Sequence, residues 1–151
     1  MSLLRKITLL LGCYDNKIQR QEQKLMLLDR EMKQIQQSLL VLGKERQSMK
    51  GLLRNMAPQG ENLDRAALYS SLRKQSVIRR RISNLELDQG LKQQELASRE
   101  KEKASVMTQR KQFYHQADKY KNLQQHVRKE TRAALARQEE SEVEEIIVWK
   151  K

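Results

Sequence analysis

The stretch that decides the fold is ITLLLGCYDNKIQRQEQKLMLLDREMKQIQQSLLVLGKERQSMKGLLRNM, residues 7–56. Counting four, then three, from Ile7 lands on Leu11, Tyr14, Ile18, Gln21, Leu25, Leu28, Met32, Ile35, Leu39, Leu42, Arg46, Met49, Leu53 and Met56, and the count never slips. Thirteen of these fifteen residues are apolar, where a chain that is 38% hydrophobic would place about six. A mean spacing of 3.5 residues keeps one seam of a helix turned toward a partner helix along its whole length, which is the coiled-coil condition. Gln, Lys, Arg and Glu fill the intervening positions; they are good helix formers and solvate the outer face. The pattern predicts a rod. Rods transmit, brace or bind, and seldom catalyse.

Composition supports that reading. The chain has 151 residues, of which 33% are charged and 4% aromatic, with five Gly and a single Pro. That is a long-helix composition with room for one loop region, because proline is costly inside a helix. The formal charge of +12 favours solubility and attraction to acidic partners, whether nucleic acid, anionic lipid or an acidic protein surface. One cysteine, Cys13, excludes an intramolecular disulfide framework and fits a reducing cytoplasm. No apolar run approaches the ~18 residues of a membrane span. Leu10-Leu11-Gly12-Cys13 resembles a bacterial lipoprotein cleavage box. However, its apolar stretch falls short of the ~7–15 residues of a signal core, and the heptad seam already runs through it, so a helix start is the preferred reading.

The only Pro–Gly pairing, Ala57-Pro58-Gln59-Gly60-Glu61-Asn62, marks a reversal. Pro58 biases Ala57 out of the helical region, and Gly60 suits a tight turn. Asn62 can cap the following helix, with Glu61 and Asp64 near its positive end. A short loop between long helices implies antiparallel neighbours. The expected architecture is therefore all-α, a long antiparallel two-helix coiled-coil hairpin forming one unit over residues 1–151. Helix 1 spans about 3–56, the turn 57–62 and a longer helix 2 about 63–140, followed by an acidic and apolar tail at 139–151.

The second arm carries a weaker seam. From Leu68 the count gives Ile78, Ile82, Leu85, Leu96, Val106, Phe113, Ala117, Tyr120, Val127 and Ala134, interrupted by Ser71, Gln75, Gln89, Lys92, Arg99, Lys103, Arg110, Gln124 and Thr131. Lys and Arg at such positions can lay their methylenes on the partner and keep their charge in water. Gly90 is the expected soft point. With the turn centred near 59–60, residue i faces residue 119 − i, and everything beyond about Gln116 lacks an intramolecular partner. Such an unpaired helix is marginal alone in water and calls for docking. The charge also changes along the chain: residues 1–138 hold 29 basic against 14 acidic side chains, and residues 139–151 hold two against five. Ile146, Ile147 and Trp149 are potential anchors in that tail.

Sequence signatures of catalysis are missing. The chain contains no phosphate-binding glycine loop, CxxC, HExxH or GxSxG. His115 and His126 are eleven residues apart, about three helical turns, too far to share a metal. No cofactor is expected. The basic residues Arg73, Lys74, Arg79, Arg80 and Arg81 wrap around the helix, and stacking aromatics are scarce, so specific nucleic-acid binding is not expected.

The segment LRKQSVIRRRISNLEL, residues 72–87, resembles the corresponding stretch of the InvI, YscO and FliJ family of type III secretion stalk proteins, closest to InvI. The ending EESEVEEII, residues 139–147, resembles the end of that protein too. The resemblance implies a cytoplasmic, non-enzymatic stalk at the cytoplasmic face of the secretion apparatus. Such a stalk promotes assembly and activity of the hexameric export ATPase, couples it to the cytoplasmic domain of the export gate, and in some members handles secretion chaperones. By resemblance, the end bearing the termini contacts the ATPase through Arg5, Lys6, Arg128, Lys129, Arg132 and Arg137. The gate surface then includes Leu42, Met49, Tyr69, Leu72, Arg73, Ser76 and Arg80. Rival readings are a secretion chaperone or escort that binds partner helices, a basic nucleic-acid-binding coiled coil, and a self-associating structural coiled coil.

Overall fold

The computed structural model describes residues 2–56 and 64–150. Two α-helices account for nearly all of them: α1, Leu3–Asn55, and the longer α2, Arg65–Lys150. Each begins on a capping side chain that accepts an otherwise orphaned backbone N–H. The Arg5 amide donates to Ser2 Oγ at 3.3 Å, and the Ala67 amide donates to Asp64 Oδ1 at 2.7 Å. The expected turn at 57–62, with Asn62 as a cap, lies outside the described residues. α2 continues through the acidic tail to Lys150, because residues 91–150 contain neither Gly nor Pro to break it. The helix also passes through Gly90 without interruption.

The contacts resolve two compact units, Met26–Ala104 and Met1–Leu25 with Ser105–Lys151, to each of which both helices contribute. In the first, Leu28 and Ile35 of α1 and Ile78, Ile82 and Leu85 of α2 are buried. Cross-helix pairs join Arg81 to Glu45 at 2.6 Å, Lys50 to Glu86 at 3.8 Å, Arg99 to Glu31 at 3.2 Å and Lys103 to Asp29 at 2.8 Å. In the second, Ile7, Ile18, Leu25, Val106 and Ala117 are buried. There Tyr114 donates to Glu22 at 2.8 Å, Tyr14 to Gln116 at 2.5 Å, and Gln124 to Thr8 at 3.2 Å. The helices are antiparallel in both units, since rising numbers on one pair with falling numbers on the other.

The seam expectation holds for α1 without exception: all fifteen positions from Ile7 to Met56 are buried or half-buried. Burial on α2 follows the four-three count from Ser71 to Val127, and every other described residue of α2 is exposed. Leu68, Thr131 and Ala134 satisfy the count yet stay exposed.

The register differs from the expected one. Paired residue numbers add to between 126 and 136, so residue i of α1 lies level with roughly 131 − i of α2, not 119 − i. A register centred on the turn assumes that both helices leave it at the same height. Instead, the Gln75 side-chain amide reaches the Met56 carbonyl at 3.1 Å, which places the first turns of α2 beyond α1's last described residue. Ile78, Ile82 and Leu85 are buried at this alignment, and the cross-helix ion pairs hold it. As a result, Ala117, Tyr120, Gln124 and Val127 are packed rather than overhanging, and the unaccompanied part of α2 starts near Arg128.

Two substitutions probe this seam. Leu85 is 0% exposed, so Leu85→Ala should cost about 2–5 kcal/mol, read by urea denaturation. Gln21 is buried at a seam position with its Oε1 lacking a hydrogen-bond partner among the described residues. Gln21→Leu should therefore stabilise by about 1 kcal/mol and raise the melting temperature by about 2–4 °C.

Candidate partner-binding surfaces

In the unit containing both chain ends, an aromatic lock fixes α1 against α2. The Tyr14 ring stacks on Tyr120 with centroids 5.6 Å apart and lies tilted against Phe113 at 6.4 Å. Lys17 Nζ sits 5.3 Å from the Tyr14 ring and 5.6 Å from the Phe113 ring. Offset ring pairs and a cation over a ring each add to simple area burial. Tyr114 donates to the Glu22 carboxylate at 2.8 Å. That hydrogen bond is the main cause holding the Tyr114 phenol above its ordinary titration range, with desolvation and the Glu22 charge acting in the same direction. The sequence names Tyr14, Phe113 and Tyr120 as seam residues; only the correct register brings them together.

This lock positions a basic surface. Arg5, Lys6, Arg128, Lys129, Arg132 and Arg137 are all exposed and all belong to this unit. By the register, Arg5 and Lys6 lie level with residues 126 and 125, and Arg128 lies level with Leu3. Four of the six therefore gather where α1 begins. Arg132 and Arg137 follow along the segment of α2 that α1 does not accompany. Ser2 caps α1 at this point, and nearby His126 contacts Glu130 at 3.0 Å.

The residues expected at the gate surface divide into two groups. Tyr69, Leu72, Arg73, Ser76 and Arg80 are exposed and recur at spacings of three and four, which aligns them on one face of α2. Leu42 and Met49 are half-buried seam residues of α1 and do not join that face. Leu42 instead contributes to a shallow groove of about 660 Å³ with Val41, Leu91, Asp88, Lys92 and Glu95.

Beside this face, Arg81 donates to Glu45 at 2.6 Å. The hydrogen bond, reinforced by the carboxylate's charge, holds the guanidinium protonated even more firmly than usual. Among the described residues no three His, Cys, Asp or Glu side chains are grouped as metal ligands, and no helix is long and apolar enough to cross a membrane.

Two antiparallel helices of unequal length, the second longer, define an all-α protein. Within that class the chain matches, over residues 5–147, the family model described as Salmonella surface presentation of antigen gene type M protein. The chain belongs to this family, the InvI-type family of type III secretion. No curated protein and no solved structure matches it.

The Tyr114–Glu22 pair yields a pH prediction. The folded phenol titrates above its unfolded value of about 10, so the pair contributes stability below that value and loses it as pH rises through the folded pKa. Ultraviolet titration of the folded protein should show one tyrosine ionising later than the others. Glu22→Gln should move that transition back toward the ordinary range.

Proposed function

We propose that this type III secretion protein is the central stalk of the export ATPase, with the basic end carrying the ATPase contact. The observation that carries this reading is the end of α2: from Arg128 onward every described residue is exposed, and Arg128, Lys129, Arg132 and Arg137 project from a helix that α1 no longer accompanies. A segment of more than twenty residues is marginal as an isolated helix in water, so a partner that packs on it supplies the missing burial. Acidic loops lining a ring suit it, because basic side chains at the edge of an interface accelerate encounter and set orientation.

In this reading the other unit faces the cytoplasmic domain of the export gate. Tyr69 and Leu72 are 52% and 50% exposed and would serve as apolar anchors. Arg73 and Arg80 would provide the polar rim around them. The stalk promotes assembly of the ATPase ring and couples it to the gate from the cytoplasmic side, without chemistry of its own. A second reading, an escort for secretion chaperones, draws on the groove at Val41, Leu42 and Leu91, which has the form of a seat for a third helix.

The test is ATP hydrolysis by the cognate ATPase at sub-saturating concentration and about 150 mM salt, near physiological ionic strength. Stimulation is expected. The triple reversal Arg128→Glu, Arg132→Glu and Arg137→Glu should weaken it about tenfold or more, because repulsion replaces attraction at each site. An ATPase competent to form rings yet indifferent to this protein would overturn the stalk reading and leave the escort reading in its place.

A further inference from the structure

The unaccompanied end of α2 has an internal polarity. Residues 128–138 carry four basic side chains, Arg128, Lys129, Arg132 and Arg137, against the single acid Glu130. Residues 139–150 carry five acids, Glu139, Glu140, Glu142, Glu144 and Glu145, against the single base Lys150. A four-three seam also runs through the segment: Lys129, Arg132, Ala136, Glu139, Val143 and Ile146 at successive steps of three, four, three, four and three. Its large apolar members, Val143 and Ile146, lie in the acidic half. Val143 is 54% and Ile146 56% exposed.

The hairpin shows how this chain pairs such elements. Lys103 and Arg99 occupy α2 seam positions level with Leu28 and Met32 of α1. Their charged groups pair with the acids next to those apolar residues: Lys103 with Asp29 at 2.8 Å and Arg99 with Glu31 at 3.2 Å. A basic stem thus covers an apolar residue and its head meets the adjacent carboxylate. The overhang holds both halves of this arrangement. Val143 is flanked by Glu142 and Glu144, Ile146 is preceded by Glu145, and Lys129 and Arg132 stand at matching seam spacing one half-segment away.

We propose that the overhang is a self-complementary docking site whose occupant is the overhang of a second copy, paired antiparallel about a two-fold axis near residues 137 and 138. In that register residue i faces 275 − i, so Arg132 covers Val143 and Lys129 covers Ile146, each twice by symmetry. Beside the axis Ala136 of each copy faces Glu139 of the other, and the small alanine side chain lets the backbones approach. The paired span runs from 129 to 146, beginning just past the residue level with the start of α1, so the hairpin is left undisturbed. A parallel pair would set base on base and acid on acid, which excludes it. A two-fold pairing closes on itself and gives a dimer rather than a fibre.

The experiment uses the full chain. Sedimentation equilibrium between about 1 and 100 µM, near 100 mM salt where screening is moderate, should show a reversible monomer–dimer equilibrium that weakens as salt rises. Lys129→Glu with Arg132→Glu should shift the dissociation constant at least tenfold toward monomer, while circular dichroism reports the helix content. Adding Glu142→Lys, Glu144→Lys and Glu145→Lys to that variant restores complementarity and should recover the dimer.

A nitroxide at position 150 in a Cys13→Ser background reads orientation. Antiparallel pairing places the two labels about 35–40 Å apart at 1.5 Å per residue, and parallel pairing within about 10–15 Å, near the interaxial distance. A monomer throughout the concentration range, a dimer insensitive to the charge reversal, or a short label distance would each overturn the proposal.

Discussion

The structure depends on an unequal seam. α1 presents a nearly unbroken apolar stripe, and α2 answers it with Ile78, Ile82, Leu85, Val106 and Ala117 separated by Gln, Lys and Arg. Where α2 is polar, burial is achieved by stems rather than by whole side chains, and the charged heads find Asp29 and Glu31 at the margin. These ion pairs are largely solvent-exposed and individually weak. Their contribution is alignment: a seam made only of Leu and Ile tolerates a heptad slip, whereas a slip here would part Lys103 from Asp29 and Arg99 from Glu31. Hydrophobic burial supplies the stability, and the charges choose the register.

That division of labour explains what the sequence could and could not reveal. The four-three count on α1 was legible because thirteen apolar residues repeat it, and the same count on α2 proved to be the true burial pattern despite eight half-buried polar members. Register was not legible. The offset of about twelve between expected and observed pairing arises because α2 begins several turns beyond Met56, a height difference that no turn motif encodes. With the register misplaced, Tyr14 stood opposite residue 105, and its stacking with Phe113 and Tyr120 could not be inferred. The candidate surfaces followed the same rule. Tyr69, Leu72, Arg73, Ser76 and Arg80 share a face because helical periodicity alone places them there. Leu42 and Met49 do not join them, because seam burial overrides proximity in sequence.

The distribution of aromatic residues sharpens the functional picture. Four of the six, Tyr14, Phe113, Tyr114 and Tyr120, hold the helices together in the unit that bears the chain ends. The remaining two, Tyr69 and Trp149, stand exposed toward opposite ends of α2, at 52% and 89%. Large rigid side chains contribute most to an interface when a partner covers them, and neither ring stacks on another among the described residues. The aromatic lock meanwhile stiffens the hairpin where the basic residues begin. A charged surface mounted on a stiff pair of helices loses less entropy on docking than one mounted on a frayed end.

Both readings of the overhang draw on the same atoms. Arg128, Lys129 and Arg132 can answer the acids of a partner ring or the acids of another copy's tail, but not both at once. The acidic half of the tail is thus a built-in competitor for the basic half. Linkage then makes the two equilibria reciprocal: whatever free energy the self-pair gains is subtracted from apparent partner affinity, and partner binding dissolves the pair by the same amount. A +12 chain with an exposed basic end would otherwise bind acidic surfaces indiscriminately. Pairing basic and acidic halves covers that charge until a partner with better complementarity displaces it, which converts a non-specific attraction into a threshold.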